Sequence, residues 1–223
     1  MSSIHQASKV AATEVVVGQY GNVSELKVRE VLLPALGDAE VRVRHTAIGV
    51  NFVDVYHRTG IYALPNFPSV LGVEAVGIVE AIGAAVRGIE PGQRVTYAGP
   101  PVGGYASVRN IPAARLLHVP DGLDDDDVAA LLLRGITTHM LLTHVYPVKR
   151  GDTVLVHAAA GGLGLVLLQW AKRLGACGFR SPLTTHPAWV AHTAGVEHQA
   201  GSAQASLLGG RHGACSVLAT NPG

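Results

Sequence analysis

One stretch limits what this chain can fold into: Val154-Leu-Val-His-Ala-Ala-Ala-Gly161-Gly162-Leu-Gly164, continuing to Gly175. Val154 to Val156 is a short apolar run, as in a buried strand. Leu163, Val166, Leu167, Trp170 and Leu174 then recur at the spacing of one helix face. Strand, glycine turn and helix together form the opening unit of a dinucleotide-binding fold. Its glycines let backbone N–H groups approach a pyrophosphate, which then sits at the positive end of the helix. Gly164 allows close packing of that helix on the strand. Gly161 and Gly164 match the last two glycines of G-x-G-x-x-G, while Ala159 stands at the first. The competing reading is an ordinary strand–turn–helix whose turn is rich in glycine.

The length of 223 residues allows one large domain or two small ones. At 48% hydrophobic the chain can build a real core, and its formal charge of +1 supplies no basic face for nucleic acid. No run of about 18 apolar residues stands out, so no membrane span is expected. The N-terminus lacks a basic-then-apolar leader pattern. Cys177 and Cys215 form neither a C-x-x-C nor a disulfide framework, so a cytoplasmic setting is expected.

Residues 1 to about 120 read as β-rich. Val15–Val17, Leu26 and Val28 with Val31–Leu33 around polar residues, Val41 and Val43 between Arg42 and Arg44, Leu71–Ile82 and Arg94–Tyr97 are strand candidates. Gly72 and Gly77 break the fourth as at a bend or bulge, and Pro91-Gly92 marks a turn. Short strands with this punctuation suggest a compact barrel-like domain. Among them, Asn51, Asp54, Tyr56 and His57 gather polar groups in an apolar region. They form either the solvated side of a helix or a substrate-facing segment. Asp124 to Asp127 precede an apolar helix, Val128–Leu142, and suit its N-terminal dipole. Arg134, among leucines, is either a snorkelling side chain or a ligand contact.

Several stretches in this order carry a resemblance: Ala47-Ile-Gly-Val-Asn51-Phe-Val-Asp54-Val-Tyr56, Leu71-Gly-Val-Glu74-Ala-Val-Gly77, Pro91-Gly-Gln-Arg94-Val, Leu133-Arg-Gly135-Ile-Thr137 and His157-Ala-Ala-Ala-Gly161-Gly-Leu-Gly164. Over roughly residues 10 to 176 the chain resembles the zeta-crystallin-like NADPH:quinone oxidoreductases of the medium-chain dehydrogenase/reductase superfamily. The resemblance implies an α/β protein, with a GroES-like β-rich catalytic domain (1–125) followed by the start of a Rossmann cofactor domain (126–176). It implies hydride transfer from NADPH to a quinone or related conjugated carbonyl, with the protein orienting the cofactor and stabilising developing charge. Ala160, Gly161, Gly162, Leu163 and Gly164 would hold the cofactor's pyrophosphate turn. Asn51, Phe52, Asp54 and Tyr56 would line the nicotinamide and substrate side, with Asn51, Tyr56 and Tyr62 as the catalytic set. Arg134 stands where the family often has lysine, and Thr137 matches a nicotinamide-side threonine. Zinc-dependent relatives in the superfamily place cysteine near Asn51 and histidine near Val73, and neither is present here. The site is therefore expected to use no metal.

The pattern stops after Gly175-Ala176, where a family member continues with a second parallel strand rich in β-branched residues. Residues 178–223 hold three charged residues, Arg180, Glu197 and Arg211, against 30 in residues 1–177. Four histidines, at 186, 192, 198 and 212, accompany a Gly/Ala/Ser-rich composition without strand–helix alternation. Residues 177–223 thus read as an atypical tail, either out of frame or disordered, or else as a divergent C-terminus. The acid expected about 20 positions beyond the glycines is absent, and only the first dinucleotide unit is recognisable. The expectation is a truncated, weakly active form. The alternatives are a non-catalytic, crystallin-like protein that keeps the N-terminal fold, or an enone reductase. Intact family members pair as homodimers through the Rossmann sheet edge, and that state does not carry over to a chain lacking those strands.

Overall fold

A computed structural model describes residues 10–181 and 217–220. The chain divides into two compact units, Met1–Leu133 and Arg134–Gly223.

The first unit is built on two sheets. Strands β1 (Ala11–Val17) and β2 (Leu26–Leu32) pair antiparallel, and β4 (Ser69–Val70) joins the other side of β1. The larger sheet has the order β7-β3-β5-β6-β8, from β3 (Glu40–Gly49), β5 (Glu74–Ile82), β6 (Arg94–Ala98), β7 (Val108–Pro112) and β8 (Leu117–His118). Alternation in β3 sends Val41 and Val43 inward, where both are fully buried beside Ala75, Val79, Val95, Tyr97 and Ile111. Gly77 is required where β5 faces β3. A Cβ there would lie 2.2 Å from the Arg44 carbonyl oxygen, next to the register shift between His45 and Ala47.

A buried polar relay braces this sheet. His45 Nδ1 donates to the Ala106 carbonyl at 2.6 Å. That bond leaves Nε2 to accept from the Tyr97 hydroxyl at 3.0 Å, and Arg109 in turn donates to the Tyr97 oxygen at 3.3 Å. Burial, with a smaller contribution from the Arg109 charge, lowers the His45 pKa to about 4.

Helix α1 (Phe52–Thr59) follows β3 and ends on Gly60 in the left-handed conformation. Helix α2 (Asp125–His139) begins with Asp125, Asp126 and Asp127 in its first turn, as the acidic run predicts. Its start is anchored by Val128 and Ala129, which pack with Val76 and Val119. The division between the units falls inside this helix, and a π-helical turn, Met140–Val145, extends it. The combined stretch Asp125–Val145 is 21 residues long, and by length and composition alone it could cross a membrane. That differs from the sequence expectation, because residues 128–145 are apolar on average although Arg134 interrupts a plain apolar run. Core helices of water-soluble proteins share this length and composition.

In the second unit β9 (Thr153–His157), α3 (Gly162–Arg173) and β10 (Cys177–Ser181) form a β-α-β unit whose strands pair in parallel. Val154, Val156, Ala159, Leu167 and Ala171 make its core. Leu163, Trp170 and Leu174 flank that core, whereas Val166, expected on the same face, is not part of it. Strand β10 corrects the expectation that no second parallel strand follows Ala176. Its Cys-Gly-Phe-Arg-Ser sequence lacks the β-branched signal, and backbone pairing to β9 supplies the strand instead. β11 (Val217–Thr220) pairs antiparallel on the other edge of β9. Cys215 and the four tail histidines lie outside the described residues.

Candidate functional site

Each unit carries one group of the residues singled out in the sequence. In the first, Asn51 is the N-cap of α1. Its N–H donates to Asp54 Oδ2 at 2.9 Å, the carboxylate half of a capping box. Its side-chain Nδ2 donates to Glu74 Oε2 at 2.6 Å. Glu74 is 1% exposed, and its other oxygen accepts from the Leu133 N–H at 2.7 Å. Gly49 makes this possible, since a Cβ there would sit 2.4 Å from both Glu74 Oε2 and the Ala129 carbonyl oxygen. Glu74 was not among the expected site residues. A lone acid inside Leu71-Gly-Val-Glu74-Ala-Val was the available signal, because a buried carboxylate needs partners.

Asp54 is buried, and its Oδ2 also accepts from the Tyr105 hydroxyl at 2.8 Å. Its Oδ1 has no partner among the described residues, nor has Nδ1 of His57 one turn on. Burial raises the Asp54 pKa, offset in part by the hydrogen bonds from Asn51 and Tyr105 and by the nearby His57. Burial and the bond to Asp54 push the Tyr105 hydroxyl upward too.

The outer side of α1 is aromatic. The Tyr56 ring meets Phe52 and Tyr62 edge-on, each at 5.3 Å between centroids, and His57 lies 6.0 Å from Tyr62. The Tyr62 N–H donates to the Tyr56 carbonyl at 3.1 Å, which fixes the turn after the helix. Phe52 and Tyr62 are each more than half exposed. The structure therefore brings Phe52, Tyr56 and Tyr62 together as one surface. Asn51 and Asp54 are bound into the framework beneath, and Asp54 is buried rather than on a solvated helix side.

In the second unit Gly161 is the N-cap of α3, and Gly162 and Leu163 open the helix. Ala160, Gly161 and Gly162 are exposed. Gly164 is buried, and only glycine fits there, because a Cβ would collide with the backbone of Ala158 and Ala159 at 2.6 to 2.8 Å. Ala158 itself has φ 52, a left-handed conformation that turns the chain from strand to helix. The Leu163 side chain packs toward the core, so only its backbone can face a ligand. Arg134 lies over Gly162: a Cβ there would fall 2.6 Å from Arg134 Nε. The Gly161 N–H donates to the Ala158 carbonyl at 2.8 Å, so a guanidinium, the exposed Gly162 backbone and a helix N-terminus converge, and that set suits an anion. Thr137 is half-buried on α2, one turn beyond Arg134. Among the described residues, no group of three or more His, Cys, Asp or Glu is placed to hold a metal.

Comparison with known proteins agrees with both units. Residues 37–121 match the alcohol dehydrogenase GroES-like domain. The chain is 44% identical over 164 residues to a quinone oxidoreductase of Pseudomonas aeruginosa, covering 74% of this chain and 50% of that protein. It is also 44% identical over 174 residues to a 2-haloacrylate reductase of a Burkholderia species, covering 76% and 52%. The crystal structure of Escherichia coli quinone oxidoreductase complexed with NADPH superposes with a TM-score of 0.73 at 40% identity, over 75% of this chain and 52% of that one. The chain spans about half the length of the curated relatives it matches. Over the stretch it shares with them, the chain belongs to the quinone oxidoreductase family of the medium-chain dehydrogenase/reductase superfamily.

Proposed function

We propose that this chain takes part in zinc-independent, NADPH-dependent reduction of a quinone or related conjugated carbonyl. The observation that carries the reading is the anion-suited turn, in which Arg134 lies over Gly162 at the start of α3. Its donors fit a pyrophosphate, and the Gly164 contact leaves no room for a side chain beneath. The Gly162 and Leu163 N–H groups would hold the phosphates, with Arg134 balancing their charge, while the Gly161 N–H closes the turn on the Ala158 carbonyl. Bound NADPH supplies a hydride. On the other unit, Phe52, Tyr56 and Tyr62 offer an aromatic surface, with rings set edge-on to one another, for a conjugated ring. The tyrosine hydroxyls stabilise negative charge on the acceptor oxygen and donate its proton. Asn51 and Asp54 keep α1 in place, and Glu74 anchors Asn51.

Two finer points belong to the same proposal. A 2-haloacrylate reductase as similar as the quinone oxidoreductases supports an activated carbon–carbon double bond as the second acceptor class. We also propose weak cofactor affinity, because the four-residue β11 pairs antiparallel on β9, where a doubly wound sheet carries a parallel strand. NADPH oxidation with a naphthoquinone and with an enone tests both. Slow but saturable turnover with either agrees. Saturable NADPH binding without turnover of either acceptor favours a non-catalytic role.

A further inference from the structure

An α-helix places residues five apart about 140° from each other around its axis. In the π-helical turn Met140–Val145 the ladder closes over five residues instead, which brings the flanking position His139 onto the same face as His144. Both histidines are exposed, and their ring centroids stand 5.4 Å apart. Two imidazoles bound through nitrogen to one tetrahedral or square-planar ion have centroids about 4.5–5 Å apart, from metal–nitrogen bonds of about 2.0–2.1 Å. A side-chain adjustment of a few tenths of an ångström covers the difference.

The hydrogen bonds around the pair also select a tautomer. Thr143 Oγ1 donates its one proton to the His139 carbonyl at 2.6 Å and lies 2.7 Å from His144 Nδ1. With that proton committed, Nδ1 of a neutral His144 must be the donor to Oγ1, and Nε2 carries the lone pair. Metal-binding histidines commonly show this arrangement, with one ring nitrogen held by an oxygen and the other turned outward. Trp170 packs against the His139 ring at 5.8 Å and restricts its rotamers.

We propose that His139 and His144 form a chelating pair for a divalent transition-metal ion, with His144 Nε2 as one ligand and water completing the coordination. An imidazole pair favours Cu2+ over Ni2+ and Zn2+. The site is separate from the glycine turn and does not depend on the reductase reading.

The test uses the full chain with Trp189→Phe, which leaves Trp170 as the one tryptophan. Titration with Cu2+ should quench Trp170 fluorescence saturably. His144→Gln should abolish that phase, and Thr143→Val should weaken it roughly tenfold, with helix content unchanged by circular dichroism. A quenching curve unaltered by His144→Gln overturns the proposal and assigns the copper to other histidines. Nitrogen chemical shifts of His144 in the unsubstituted chain give an independent check. The Nδ1–H tautomer is expected, and the Nε2–H tautomer overturns the proposal.

Discussion

Arg134 Nε lies 2.6 Å from where a Cβ on Gly162 would stand, so the guanidinium and the first residue of α3 occupy one another's space. A cation beside a helix N-terminus is unfavourable for the dipole. An anion held by both reverses that cost. The pairing explains why the position after Gly161 is glycine, and why an arginine can lie within an otherwise apolar helix.

Gly162→Val should displace Arg134 and raise the Kd for NADPH by roughly tenfold or more. Arg134→Ala should do the same through loss of one charge-assisted contact, about 1.5–3 kcal/mol. Fluorescence titration with NADPH measures both. The double variant should be less than additive, because each change removes the same contact.

Glu74→Ala should destabilise the first unit by about 3 kcal/mol, since it removes the acceptor for both Asn51 Nδ2 and the Leu133 N–H in a buried place. Glu74→Gln keeps one acceptor and should cost less. Denaturant unfolding of each variant gives the ranking.

His45 makes stability depend on pH. Its folded pKa, about 4, lies below the unfolded value near 6.5, so the unfolded chain takes up the proton first as pH falls. The stabilisation is full above about pH 6.5 and is lost between there and about pH 4. The loss is about 3 kcal/mol at most. Asp54 works in the opposite sense, because its raised pKa favours the folded state at the acid end. His45→Phe should remove the downward slope between these limits in a series of unfolding curves at fixed pH.

Gly135→Ala should stabilise the chain. Gly135 lies within α2, no atom stands within 4 Å of a Cβ placed there, and it does not need a positive φ. The gain is about 0.5–1 kcal/mol, read as a rise in Tm, with NADPH affinity unchanged.

Much of this was legible in the residues. Val41 and Val43 announced a half-buried strand, Asp124 to Asp127 a helix start, and the Gly161–Gly164 turn its parallel unit. These are local signals, set by periodicity, capping and backbone freedom. Arg134 stood open between snorkelling and ligand contact, because only the folded unit sets it over Gly162. Glu74 was passed over because one acid in an apolar run carries no periodicity. β10 was missed because backbone pairing to β9, not side-chain preference, makes Cys177–Ser181 a strand. The π turn left no composition signal, yet it decides that His139 and His144 meet.

The most direct test follows the backbone amides of Gly161, Gly162, Leu163 and Gly164 by NMR as NADPH is added to the full chain. Saturable shifts concentrated on these four amides, lost in Gly162→Val, are the expected result. Shifts absent there at saturating NADPH, or unchanged in Gly162→Val, would contradict a cofactor site at the start of α3 and with it the proposed reductase function.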